Sequence, residues 1–256
     1  MQSLLSGLVA YWPLHEPSGS RLSVVGDNSL LTLSDNNTVT GADGKVDNAS
    51  QFTAANLEYL SVADNAIVST GDIDFFFSIW VYFDSKIDGG SFFGKDDGAS
   101  SREYVLRYTG GATDRFQVFL TNDGTSISTY NFSTGGSPAL STWYNLMWWH
   151  DSVLNTVNRR VNMGGIDSTA RTTGVFDGTA NFELSRYAAA AGTYHNGRMC
   201  ELGMWKRIPT EQEQAWIYNN GLGRAYPFDG RPAPILTSRR GHGVMARRNR
   251  LTGLTV

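Results

Sequence analysis

The chain carries a single cysteine, Cys200, so no internal disulfide can form and the fold has to stand on its core, as suits a reducing compartment. No apolar run approaches the roughly 18 residues that would span a bilayer as a helix. The N-terminal MQSLLSGLVAYWPL lacks the basic segment and small-residue cleavage site of a signal peptide, which predicts a protein assembled in the cytoplasm of a host cell. Acidic residues are missing altogether from positions 231 to 256, where Arg231, Arg239, Arg240, Arg247, Arg248 and Arg250 stand in a chain whose net charge is −3. Pro227, Pro232 and Pro234 punctuate this change of composition. It predicts a domain over residues 1–226 followed by a Pro-hinged, Arg-rich arm over 227–256.

Nucleophilic and metal signatures are missing too. There is no G-x-S-x-G, and His15, His150, His195 and His242 do not stand at metal-ligand spacing. Cys200 lies within a strand pattern, where a thiol is most often a small buried hydrophobe.

What the chain has in quantity is aromatic residues, at 12%, and glycines, 28 against 7 prolines, which together favour many short strands over long helices. DFFFSIWVYF, residues 74–83, alternates Phe75, Phe77, Ile79, Val81 and Phe83 on one face with Phe76, Ser78, Trp80 and Tyr82 on the other. Similar patterns predict strands at 7–14, 59–62, 104–108, 115–120, 126–132, 157–161, 182–187 and 198–206, with Gly-rich turns between them. One helix is predicted after Pro209, in TEQEQAWIYNNG: Thr210 and Glu213 make a capping box, Gly221 supplies the left-handed stop, and Trp216 and Tyr218 dock it. This pattern is that of an all-β sandwich or jelly roll of two antiparallel sheets with one short C-terminal helix and an extended basic C-terminal arm.

Four stretches in order carry a resemblance: GLVAYWPLHEPSG from Gly7, IDFFFSIWVYF from Ile73, ALSTWYNLMWWHD from Ala139 with VNRRVNMGGI after it, and NGRMCELGMWKRIPTEQEQAWIYNNG from Asn196. They resemble the opening, central, W-x-H and closing strands of the laminin-G-like branch of the concanavalin A-like lectin and glucanase superfamily. Two positions depart from its pattern, Asn145 where a His is frequent and Cys200 where an Asp precedes Glu201. The resemblance implies a jelly-roll sandwich. It leaves function open, because one fold hosts many activities.

Members of that superfamily often hold calcium at a loop edge, and the resemblance points to Asn56, Glu58 and Asp151 as the metal candidates here. No cofactor is otherwise required. Its glucanases place three carboxylates on one strand as E-x-D-x-E, and no such run occurs. The nearest acidic pairs, Asp72/Asp74, Asp96/Asp97 and Glu211/Glu213, read as loop or helix-start charges, so no catalytic residue is assigned.

The stretch WYNLMWWHD, residues 143–151, puts Trp143, Asn145, Met147, Trp149 and Asp151 on one face and Tyr144, Leu146, Trp148 and His150 on the other. Most of these rings are expected in the core, with Trp149 and His150, near the strand's end, as the pair able to reach a glycan.

In the arm, Ile235, Leu236, Val244, Met245, Leu251 and Leu254 alternate with the arginines, which favours docking on other protein chains of an assembly over a solvated tail. Nucleic acid is disfavoured, since one short arm on an acidic domain lacks a broad basic face. The resulting expectation is a non-enzymatic structural or adhesion protein, a virion component such as a capsid decoration or a phage tail-associated protein, that displays a lectin-like domain. The alternative is a free, calcium-dependent carbohydrate-binding lectin that engages cell-surface glycan. A glycoside hydrolase comes third, for want of paired carboxylates.

Overall fold

The computed structural model describes residues 4–188 and 192–229. Strand β1 (Leu8–Trp12) leads through a one-turn helix α1 (Asn28–Leu31) into β2 (Ser34–Asn36), β3 (Thr40–Asp43), β4 (Asn48–Phe52) and β5 (Tyr59–Val62). The long β6 (Phe75–Ser85) precedes β7 (Ser91–Lys95), β8 (Tyr104–Thr109), β9 (Arg115–Thr121) and β10 (Ile127–Asn131). Then follow β11 (Trp143–Asp151), β12 (Thr156–Val161), β13 (Asp167–Ala170), β14 (Phe182–Leu184), β15 (Asn196–Trp205) and helix α2 (Glu211–Tyr218).

These strands make two antiparallel sheets. One is eight-stranded, in the order β13-β12-β11-β6-β15-β4-β3, with β1 added on β15; the other is seven-stranded, β10-β9-β8-β7-β14-β5-β2. Sequence neighbours are often not sheet neighbours: β6 lies between β11 and β15. Such long-range antiparallel pairing between two packed sheets is the jelly-roll sandwich that the alternating pattern predicts.

Alternation decides which residues fill the space between the sheets. Phe75, Phe77, Ile79, Val81 and Phe83 of β6 all point inward, beside Leu146 and Trp148 of β11 and Tyr104, Leu106, Phe116 and Val118 from the other sheet. Trp148 stacks on Phe77 with ring centroids 5.1 Å apart and an interplanar angle of 16°. Two polar anchors are wholly buried among them. Arg21 donates to Ser50 Oγ at 2.8 Å and to the Val39 carbonyl at 3.1 Å, and Lys95 pairs with Glu103 at 2.8 Å. Each is satisfied, as a buried charge has to be.

Several strands are absent from the sequence expectation: β2, β3, β4, β7 and β13. Their segments, such as SDN, TGAD, NASQF and DSTA, are short and rich in small or polar residues, so sheet pairing rather than local propensity makes them strands.

Helix α2 begins on the predicted capping box, with Thr210 N donating to Glu213 Oε2 at 2.7 Å and Glu213 N to Thr210 Oγ1 at 3.3 Å. Its left-handed stop falls on Asn219 at φ 51°, two residues before Gly221, and the Asn219 amide then donates to the Gly223 carbonyl at 2.8 Å. Asparagine tolerates that conformation because its side chain bonds locally. Trp216 and Tyr218 both pack against the apolar cluster under the helix, as expected, joined by the buried Gln214 and Ile217, and Trp216 also donates to the Phe228 carbonyl at 2.9 Å. That segment returns to the sheet: Phe228 is buried against Tyr11 and Trp205, beyond the boundary expected at residue 226. Residues 230–256, with the six arginines of the predicted arm, lie outside the described residues.

Candidate functional site

Strand pairing sets the side chains of the eight-stranded sheet's outer face in rows that cross the strands. The first row, Trp149, Phe76, Trp205 and Leu8, is joined by the pairs Trp149↔Phe76, Phe76↔Trp205 and Trp205↔Leu8. In the next row, Met147, Ser78, Gly203 and Tyr11, the small Ser78 and Gly203 leave room for those large rings. A Cβ on Gly203 would sit 2.6 Å from the Trp205 ring. Helix α2 and Phe228 roof both rows, with Ile217 buried in the same apolar cluster.

This roof decides the fate of the sequence candidates on β11. Trp149 is only 6% exposed, tilted against Phe76 at 5.9 Å beneath the helix. His150 is wholly buried on the other face of the strand, with Nε2 2.9 Å from Asp72 Oδ1 and Nδ1 3.2 Å from the Thr156 carbonyl oxygen. Neither is on a surface that a glycan reaches.

Toward the other end of the strands the roof stops. Tyr218, at the end of α2, stacks on Trp80 at 5.7 Å and 12°, and Lys45 stands over the same indole. One row further on, five residues from five adjacent strands stand side by side: Trp143 of β11, Tyr82 of β6, Arg198 of β15, Gln51 of β4 and Thr40 of β3. Trp143, Tyr82, Arg198 and Gln51 are half-buried and Thr40 is exposed.

Contacts between neighbours hold the row in place. The Trp143 and Tyr82 rings lie 5.3 Å apart, and the Arg198 guanidinium sits 4.8 Å from the Tyr82 centroid. Arg198 Nε donates to Gln51 Oε1 at 3.1 Å, and Gln51 Nε2 donates to Asp84 Oδ2 at 2.8 Å. Beneath it, β15 and β6 come so close that a Cβ on Gly197 would lie 1.9 Å from the Tyr82 carbonyl oxygen, and only glycine fits. His195, wholly enclosed, directs Nε2 at that same carbonyl from 3.1 Å, and burial pushes its pKa down to about 4. Chemically the row offers two half-buried aromatic rings at one end, the Tyr82 ring already carrying the Arg198 guanidinium, and polar side chains at the other, a combination suited to a sugar's apolar face and its hydroxyls.

The metal candidates are not brought together. Glu58 closes its own turn, accepting from Thr53 N at 2.6 Å and from Asn56 Nδ2 at 2.9 Å, and Ala54 of that turn bonds Asn196. Asn196 pairs with Ser85 at one end of β6, whereas His150, next to Asp151, pairs with Phe75 at the other. Eleven residues of strand put the two places roughly 33 Å apart along β6. Asp151 caps the β11–β12 turn through Val153 N and Leu154 N. Among the described residues no group of three or more His, Cys, Asp or Glu side chains is arranged to hold a metal ion.

The acidic pairs are likewise engaged locally. Asp72 bonds His150, Asp74 bonds Ser152, Asp97 bonds Ala99 N and Ser101 N, and Glu213 pairs with Arg207 at 2.8 Å. A concavity of about 240 Å³ on the seven-stranded sheet is lined by Asp96, Asp97, Asn181, Glu183 and Arg186, but Glu183 and Arg186 neutralise each other in a two-bond pair. Glu201 sits at a β-bulge with φ 55°, buried between His15 Nε2 at 2.7 Å and the Tyr11 hydroxyl. Burial raises its pKa, against the pull of His15. Burial also raises that of Cys200, which is enclosed beside Trp80 as an inert thiol.

The row escaped sequence reading because each of its members comes from a different strand, at positions 40, 51, 82, 143 and 198. The one available signal was that Trp143 and Tyr82 fall on the outward phase of their strands.

No protein-family model matches the chain, and no curated protein does. Solved structures do. Domain 4 of AbnA, a GH43 extracellular arabinanase from Geobacillus stearothermophilus, determined in complex with arabinotriose, is 17% identical over 74% of this chain and 82% of that one, with a TM-score of 0.57. The binding domain of Paraclostridial Mosquitocidal Protein 1 aligns with a TM-score of 0.65 and 12% identity over 84% of this chain and 52% of its own. The botulinum neurotoxin serotype D ligand binding domain, in complex with N-acetylneuraminic acid, gives 0.60 and 8% over 83% and 50%. The chain thus spans about half the length of these toxin domains. At such identities the likeness is one of fold, and the fold is a β-sandwich jelly roll.

Proposed function

We propose that this protein is a non-enzymatic glycan-binding module whose contact surface is the row Trp143, Tyr82, Arg198, Gln51 and Thr40. The observation that carries the reading is the row itself: two adjacent aromatic rings continued by a guanidinium and an amide, on the part of the sheet face that α2 leaves open. The arabinanase domain and the serotype D toxin domain, each solved with a sugar bound, lend it support. The non-enzymatic part of the reading is supported by the acidic pairs, which are occupied in turns, caps and ion pairs.

A glycan array probed with the full chain tests this, alongside Trp143→Ala and in the presence and absence of a chelator. The expected result is a bound glycan class that Trp143→Ala loses and the chelator leaves unchanged, since Asn56, Glu58 and Asp151 do not converge. Failure of the folded chain to bind any glycan ends the reading. Anchoring in a virion or another assembly is a second proposal, resting on the arginine and apolar pattern of residues 227–256. Its test is whether deleting residues 230–256 releases the chain from particles with which it copurifies.

A further inference from the structure

Resting on that reading of the row, we infer that the ligand is an uncharged, linear oligosaccharide that lies across the strands and is held along its length rather than at its tip. Three observations carry this.

The first is shape. Adjacent strands are about 4.8 Å apart, so five consecutive positions cover roughly 19 Å in a line perpendicular to the strands. An extended glycan advances by a similar distance per sugar, so about four units match the row from Trp143 to Thr40, one for each step between strands.

The second is that, among the described residues, no strand continues the sheet past either end of the row. Thr40 belongs to β3, the edge strand of the sheet. At the far end, the pairing of β11 with β12 runs only from Asp151 to Leu146, so Trp143 stands on an unpaired margin of its strand. The wall formed by Tyr218, Trp80 and Lys45 flanks the row along one side and does not cross it. A chain end is therefore not what the surface selects.

The third is charge. Arg198 is committed on several sides: Nε to Gln51, another guanidinium nitrogen to the Asp43 carbonyl at 3.2 Å, and its face to the Tyr82 ring. Asp84, which accepts from Gln51, and Asp43, whose carbonyl accepts from Arg198, are both exposed acids at the row, equal in number to the cations Arg198 and Lys45. A carboxylated sugar would meet these two acids against a single guanidinium that already serves Gln51 and the Asp43 carbonyl, whereas a hydroxyl group can donate to Asp84 as well as accept from Arg198.

Titration calorimetry on the full chain separates the outcomes. The probes are arabino-, xylo- and cello-oligosaccharides of one to six units and 3′-sialyllactose. At least one neutral series is expected to bind with affinity that climbs from two to about four units and then levels, with sialyllactose giving no heat. Thr40→Ala, an exposed change at the edge, should weaken the tetramer a few-fold while leaving the dimer unaffected. Trp143→Ala should weaken every length. A monosaccharide bound as tightly as the tetramer, or sialyllactose preferred over every neutral chain, overturns the inference while leaving the glycan-binding reading intact. If no probe binds and the glycan array is also blank, that reading falls and the inference with it; if the array is positive only for charged or branched glycans, the inference alone falls.

Discussion

One strand, β11, ends in two tryptophans on the same outward face, and the molecule treats them in opposite ways. Trp149 lies in a row of large rings sealed by α2 and Phe228, and Trp143 lies three outward positions away in a row that nothing among the described residues roofs. Both are aromatic residues at strand spacing. The difference between them is made by Gln214, Ile217 and Tyr218, which fix where the helix lands, and by Trp80 with Lys45 above it, which marks where its cover stops. An aromatic ring on a sheet is thus core or contact surface according to what crosses over it.

The largest expected effect tests the sealed end. Trp205→Ala removes a fully buried ring and its hydrogen bond to the Leu4 carbonyl at 2.8 Å, and should cost about 3–5 kcal/mol in urea unfolding. A loss below about 1 kcal/mol would mean that the roof is not packed as described.

Beneath the open end, His195 supplies a pH test. Its pKa falls from 6.5 to about 4 on folding. Between those values the unfolded chain binds a proton that the folded chain refuses, so this contribution is intact above pH 6.5 and is lost as pH drops toward 4, amounting to about 3 kcal/mol. His195→Phe should flatten the pH dependence of the urea midpoint across that window. An unchanged slope would remove His195 as its source.

Smaller again is the helix start. Thr210→Ala deletes the capping box that sets the beginning of α2, with an expected loss of about 1 kcal/mol and faster amide exchange in the first turn of the helix. Binding at the open row should survive it. Smallest in stability, and largest in binding, is Trp143→Ala: the half-buried ring gives up its contact with Tyr82 for about 1 kcal/mol or less, while glycan affinity falls at least about tenfold. If Trp143→Ala instead unfolds the chain as Trp205→Ala does, the contrast between the two ends collapses.

Much of the sandwich was legible from alternation, because a strand with one buried face writes its period of two into the sequence, as in Phe75 to Phe83. The Thr210/Glu213 cap was legible for a similar reason, being a contact between residues three apart. Strands such as β3 and β4 were not, since TGAD and NASQF become strands through the partners they meet. For the candidate site, Trp149 and His150 were favoured by their place at the end of a strand, and both prove to be enclosed. Position along one strand carries no information about a helix that arrives from sixty residues further on.

By itself, then, the sequence determined the layering: which residues of each strand face inward, that two antiparallel sheets enclose an aromatic core without disulfides, and where the capped helix α2 begins. Those are short-range patterns, readable residue by residue. Only the tertiary structure decided the register that sets Trp143, Tyr82, Arg198, Gln51 and Thr40 in one line, and the landing of α2 that leaves this line open. Register and docking are pairings between distant segments, and their outcome belongs to no single stretch of the chain.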